Sequence, residues 1–202
     1  MQEERANLQT PLASSQNRSV QKLPENYKLA FNKDQIAKRV AEVGASVSEW
    51  AASLPSNEEQ ILCVCVLRGG SIFFSDLIRN ITTSVEMAFC RTWSYSVENR
   101  QVADGSVRVS VETVAAHGRR VLVIDDICES GKTLSRLTNV FRELGALEVR
   151  SAVLIHRAVE GATFIPTWKA FDYLSTEWFV GYGLGDKEHN ANLPDVYNIF
   201  PS

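Results

Sequence analysis

The sequence has no long hydrophobic run. None of its apolar stretches approaches the ~20 residues that span a bilayer, so nothing argues for a membrane-crossing segment. An excess of positive charge is lacking too. Lys and Arg number 21 against 24 Asp and Glu, a formal net charge of -3, which excludes a general attraction to nucleic acid or anionic lipid. The opening stretch MQEERANLQTPLASSQNRSVQ starts acidic and has no apolar core, so it does not read as a secretory signal. Residues 1–22 read instead as a polar tail that is poorly ordered or docks late. Cysteine and histidine are scarce. Cys63, Cys65, Cys90 and Cys128 give no zinc-type pairing, and His117, His156 and His189 are scattered without metal spacing. The expectation is reduced thiols in a cytoplasmic protein. Internal repeats and low-complexity tracts are absent as well.

What is present suits one globular domain over residues 23–202, since 202 residues with 45% apolar content can bury a substantial core. Ile36, Val40, Val43, Val47 and Trp50 recur at steps of four and three, which predicts a helix over 34–52. QILCVCVLRGG is a continuous apolar run ending in a glycine pair and reads as a strand buried on both faces. In it, Cys63 and Cys65 share one face as small core hydrophobes. SIFFSDLIRN has helical spacing, with Ser71 as a candidate cap. SVEMAFCRTW reads as a second strand. The polar SYSVENRQVADG that follows is a long mobile loop or a ribbon tip, and SVRVSVET resumes an alternating pattern. VLVID is the strongest strand. Leu134, Leu137, Val140, Phe141 and Leu144 then mark a helix over 132–144 closed by Gly145, and EVRSAVLIHR is the next strand. FDYLSTEWFVGYGLGD alternates too poorly to type. Alternating strands and helices imply an α/β fold with a mainly parallel central sheet and flanking helices. Such sheets bind ligands beyond the carboxyl ends of their strands, where LRGG and DDICESGKT lie.

VLVIDDICESGKTL, residues 121–134, ends in the Gly-Lys-Thr of many nucleotide-binding loops, but Asp126 stands where a triphosphate loop needs its first glycine. Ser130, Gly131, Lys132 and Thr133 open a helix, so amide N–H groups, two hydroxyls and the helix dipole converge on one anion. The upstream acids Asp125 and Asp126 would repel a polyphosphate yet can accept hydrogen bonds from sugar hydroxyls. A phosphate monoester beside a diol describes a ribose 5-phosphate.

VLVIDDICESGKTL resembles the phosphoribosyl pyrophosphate signature of type I phosphoribosyltransferases. VLRGGSIFFSDLIR, TWSYSVEN and WFVGYGLGD are similar, in order, to the pyrophosphate loop, the flexible lid and the purine clamp of the hypoxanthine–guanine branch. Together they cover residues 54 to 199. This resemblance implies that Arg68 and Gly69 hold pyrophosphate and that Ser94 and Tyr95, in a lid at about 93–107, close over the phosphates. It implies that Asp125 and Asp126 hold the ribose hydroxyls and that Ser130, Gly131, Lys132 and Thr133 grip the 5-phosphate. Glu129 falls at the position of the catalytic acid near the base. Trp178 would stack on the purine and Phe179 would offer backbone groups to its edge, within a base-binding hood at about 157–202. Mg²⁺ is the implied cofactor. Phosphoribosyl pyrophosphate, a purine base and a nucleoside monophosphate are the implied partners, and a homodimer or homotetramer the implied assembly.

Four positions depart from the family pattern. Glu129 replaces an aspartate, and His156 stands where a lysine donates to the 6-oxo group of the base. His156 can donate one hydrogen bond when neutral, or can be a satisfied strand-end histidine; both readings stand. Gly185 occupies the place of the metal-associated acid, leaving Asp186 one residue late as a metal contact or a solvated acid. Ala191 takes the place of an arginine that touches pyrophosphate. Two functions follow: transfer of phosphoribosyl to a purine, hypoxanthine or guanine first and xanthine or adenine next, or a weak or inactive homologue that senses phosphoribosyl pyrophosphate or nucleotides.

Overall fold

The computed structural model describes residues 23–53, 60–94, 107–111, 114–162, 164–185 and 189–201. The tail at 1–22, most of the expected lid including Tyr95, and Asp186 lie outside the described residues. The described chain runs β1 (Tyr27–Phe31), α1 (Lys33–Ala52), β2 (Ile61–Leu67), α2 (Ser71–Ile78), β3 (Val85–Ser94), β4 (Val107–Ser110) and β5 (Arg120–Cys128). It continues through α3 (Lys132–Glu143), β6 (Glu148–Arg157), β7 (Trp168–Tyr173), β8 (Trp178–Val180) and β9 (Val196–Ile199).

Six strands form the central sheet in the order β4-β3-β2-β5-β6-β7. Every neighbouring pair is parallel except β3 with β4. The alternation of β2 sorts its side chains between two cores. Ile61, Cys63 and Cys65 pack with Ile36, Val40, Phe73 and Leu77 on the α1/α2 face. Leu62, Val64 and Val66 pack with Leu134, Leu137 and Phe141 on the α3 face. This burial on both faces, which QILCVCV predicts, is what makes the strand read as a continuous apolar run. The chain leaves β2 through α2 towards β3 and leaves β5 through α3 towards β6, in opposite directions along the sheet. Adjacent β2 and β5 therefore flank a topological switch point, where the loops beyond their carboxyl ends diverge and open a crevice.

A second, antiparallel sheet has the order β1-β9-β8. It draws β8 and β9 from the expected hood span and β1 from ahead of the first helix, whereas β7, inside that span, completes the central sheet. An aromatic seam joins the two sheets. Phe31 stacks on Phe171 at a centroid distance of 3.9 Å, and Tyr173 meets Phe179 edge-on at 4.8 Å. Such contacts bury large apolar area in fixed geometry and bind the hood to the edge of the main sheet.

Local details differ from the sequence expectations in three places. Ser71 is the first helical residue of α2, not its cap; Gly70 holds the cap position and no side chain caps the helix. Leu144 is exposed, because α3 ends at Glu143 before the stripe returns to the core. β5 runs on through Asp125 and Asp126 to Cys128, so the two acids stand on a strand and not in a loop.

Candidate active site

The three helices among the described residues differ in how their first N–H groups are satisfied. Asn32 and Gln35 make a reciprocal capping box at α1: Gln35 N donates to Asn32 Oδ1, and Asn32 N donates to Gln35 Oε1, both at 2.9 Å. At α2 and α3 the cap residues are Gly70 and Gly131, and neither start has a side-chain cap. Both of these helices begin at the switch point. At α2 the first amide is already used, Ser71 N donating to Arg68 O at 3.1 Å, whereas at α3 the leading amides are left to a ligand or solvent, as anion binding requires.

Close packing fixes the same two loops. The Leu67–Arg68 peptide is cis. A Cβ built on Gly69 would lie 1.8 Å from Asp126 Oδ2, so glycine is what lets the turn at 68–70 rest against that carboxylate. Gly131 has φ +75, and a Cβ there would lie 2.4 Å from Phe164 Cβ. Left-handed backbone and a tight neighbour both demand glycine at the entry to α3. A smaller cavity of about 190 Å³ is lined by Glu129, Ser130, Gly131, Lys132 and Thr133. The five residues expected around a monoester and the base acid are therefore contiguous around one hollow.

Beside it opens a cavity of about 700 Å³ whose wall includes Arg68, Gly69, Asp126, Glu129, Trp178 and Phe179. The turn after β2, the end of β5 and the edge strand of the hood meet there, although they are far apart in sequence. Trp178 is 64% exposed and lines this cavity, with its indole Nε1 donating to Gly185 O at 3.3 Å, so it is not a core tryptophan. Phe179 is buried, and β8 is an edge strand of its sheet, which leaves one side of its backbone unladdered.

Asp125 is buried and does not line the large cavity. Its Oδ1 accepts from Asp126 N at 2.9 Å, and Asp126 Oδ1 accepts from Ile127 N at 2.8 Å. Burial pushes the Asp125 carboxyl well above the usual carboxylate range, with the charge of Asp126 adding to the effect. Asp126 is raised as well, again by burial, while hydrogen bonds from Asp125 and Ile127 work against the rise. Of the two readings of His156, its position matches the satisfied strand-end histidine: it does not line the cavity but turns to Asp172, with Nδ1 2.9 Å from Asp172 Oδ1. The next residue, Arg157, lines the cavity, and the sequence reading did not single it out. Its only signal in the sequence is a charge closing an apolar strand. Gly185 and Ala191, two of the departures from the family pattern, both lie in the cavity wall. Ser94, inside the span expected for a lid, ends β3 and pairs with Val107 of β4.

The model of the phosphoribosyl transferase domain matches residues 34–184 of this chain. A hypoxanthine-guanine phosphoribosyltransferase from Bacillus subtilis (strain 168) is 32% identical over 181 residues, which cover 87% of this chain and 94% of that protein. The chain belongs to the type I phosphoribosyltransferase family, in its hypoxanthine–guanine branch. Solved structures agree on the fold of this phosphoribosyltransferase. A hypoxanthine phosphoribosyltransferase from Staphylococcus aureus matches with a TM-score of 0.73 at 25% identity, over 86% of this chain and 93% of that one. Another from Trypanosoma cruzi, in complex with the product IMP, matches with a TM-score of 0.76 at 23% identity, over 89% and 98%. The protein is accordingly a purine phosphoribosyltransferase, with an α/β core and an added antiparallel sheet.

As to metal, the cavity offers hard oxygen donors from Asp126, crowded against Gly69 and raised in pKa by lost hydration. Such a carboxylate is stabilised by a nearby cation or by hydroxyl donors. Among the described residues no group of three His, Cys, Asp or Glu could enclose an ion. The donor set therefore fits Mg²⁺ only in its usual manner, through one or two carboxylates together with oxygens of a phosphorylated substrate and water.

Proposed function

We propose that this phosphoribosyltransferase uses Mg²⁺ and phosphoribosyl pyrophosphate to convert a 6-oxopurine, hypoxanthine or guanine, into its nucleoside monophosphate, releasing pyrophosphate, as a cytoplasmic salvage enzyme. One observation carries the reading. The turn at 68–70, Asp126, the uncapped start of α3 and the exposed Trp178 converge on adjoining hollows of about 700 and 190 Å³. Such a pair of hollows suits a ribose with its 5-phosphate in the smaller one and the two groups exchanged at C1, base and pyrophosphate, in the larger.

In this reading the amides and hydroxyls of Ser130 to Thr133 bind the 5-phosphate, helped by the helix dipole and Lys132. Asp126 orients the sugar through its hydroxyls. Asp125 holds it from behind, through the backbone of Asp126. Arg68 and Gly69 receive pyrophosphate, where fixed donors stabilise the charge that grows as its bond to C1 breaks. Bound Mg²⁺ would add charge neutralisation for that leaving group. Trp178 stacks on the purine, the open edge of β8 meets its polar rim, and Glu129 manages the proton on the attacking nitrogen. Ser94 and Tyr95 close the lid and exclude water from the activated sugar. Asp186 is a further candidate metal contact.

A second reading, binding without turnover, draws on Ala191 standing in the cavity wall where the family carries an arginine. Purified protein with phosphoribosyl pyrophosphate, Mg²⁺ and each of hypoxanthine, guanine, xanthine and adenine separates the two. Monophosphate and pyrophosphate formed in equal amounts from a 6-oxopurine is the expected result. Binding of phosphoribosyl pyrophosphate with no product from any base would establish the sensor instead.

A further inference from the structure

The large cavity holds one charged side chain that the transfer chemistry above leaves unused. Arg157 closes β6 and is 7% exposed. Its guanidinium carbon lies 4.8 Å from the Phe179 ring centroid, and Nη2 donates to Glu177 O at 2.6 Å. Nη1 is 3.1 Å from Glu129 Oε1, and the buried Nε has no hydrogen-bond partner among the described residues. His156 is the neighbour in sequence but looks elsewhere. Its Nδ1 meets Asp172 Oδ1, an oxygen that Lys169 Nζ also approaches at 2.8 Å. Of the two, only Arg157 reaches the cavity.

We propose that Arg157, and not His156, selects the base in this chain, by donating to the ring carbonyl of a 6-oxopurine while holding Glu129 in position beside it. This rests on the phosphoribosyl-transfer reading given above. A guanidinium stays charged at any working pH and donates only, so it favours an acceptor at purine position 6 and opposes the amino group of adenine. The Phe179 ring, the Glu177 carbonyl and Glu129 already fix its plane, so little freedom is lost when a base arrives. Nη1 and Nη2 each make one contact, with Glu129 and with the Glu177 carbonyl, and each carries a second hydrogen that a base carbonyl in the cavity can accept. Arg157 also packs against Phe179, one of the two residues expected to clamp the base.

The test compares Arg157→Lys, Arg157→Met and His156→Gln with the natural protein. Titration calorimetry gives dissociation constants for inosine monophosphate, adenosine monophosphate and ribose 5-phosphate, and steady-state assays give kcat and KM. Arg157→Met is expected to weaken inosine monophosphate about tenfold or more, the size of a lost charge-assisted hydrogen bond, with ribose 5-phosphate changed less than about twofold. Arg157→Lys should keep part of the preference over adenosine monophosphate but lose kcat, because an ammonium lacks the rigid planar fork that spans Glu129 and the carbonyl at once. His156→Gln should retain the preference. Loss of preference in His156→Gln with preference intact in Arg157→Met would overturn the proposal. So would equal weakening of all three ligands in both Arg157 variants, since the guanidinium would then only brace the fold. Failure of the natural protein to bind ribose 5-phosphate would instead defeat the transfer reading itself.

Discussion

Asp125 and Asp126 follow one another on β5, yet one is sealed beneath the strand and the other faces the cavity. Sequence alone pairs them as two sugar-binding acids; alternation along a strand separates them. Because burial raises the Asp125 carboxyl in the folded protein, folding favours its protonated form. The associated stability is present at low pH and is lost as pH rises from the ordinary carboxylate range through the raised value. Asp125→Asn keeps an acceptor for Asp126 N without the charge. In thermal melts of the ligand-free protein, the variant should gain on the natural protein as pH rises from 4 to 8, by about 2–4 °C for each kcal/mol relieved. A difference independent of pH would contradict the assignment. Glu129 carries the second prediction at this scale. Glu129→Gln keeps size and hydrogen bonding but removes the base, so kcat should fall far more than the affinity for ribose 5-phosphate. Equal losses would remove Glu129 from proton management.

Helix starts are where elements carry function. α1 is closed by its own side chains, whereas α2 and α3 begin at bare glycines beside the cavities. Asn32→Ala should therefore cost about 1 kcal/mol of stability and leave transfer unaffected. Gly131→Ala must meet both the positive φ and Phe164. It should cost about 1–3 kcal/mol in denaturant unfolding and weaken 5-phosphate binding more strongly than base binding. A Gly131→Ala protein that binds ribose 5-phosphate normally would show that the loop backbone is not the phosphate grip. The elements with strong periodicity were the legible ones: α1, the two-faced β2 and the stripe of α3 all follow from the spacing of apolar residues. β1 was not legible, because the five residues YKLAF carry no clear alternation and gain their place only by pairing with β9, some 170 positions away. β7, β8 and β9 were hidden for the same reason. Their order is decided by long-range pairing and by the aromatic seam, not by local pattern.

At the scale of the whole molecule, two sheets create the site that neither contains alone. The central sheet supplies the turn after β2 and the end of β5; the hood supplies Trp178 and Phe179. A Cβ on Gly183 would lie 2.5 Å from Gly69 O, so the hood loop leans directly on the turn at 68–70. This convergence explains why the motifs could be assigned from sequence in order, while Arg157 could not: its value comes from Phe179 and Glu129, residues 22 and 28 positions distant. The account depends on a sugar monoester sitting where β5 passes into α3. The direct measurement is a titration of the ¹⁵N-labelled protein with ribose 5-phosphate, followed through its backbone amide resonances. Saturable shifts should be largest at Ser130, Gly131, Lys132 and Thr133, with smaller changes at Asp126 and Gly69. If those four amides stay fixed while the sugar phosphate binds elsewhere, or does not bind at all, the assignment of this site is wrong.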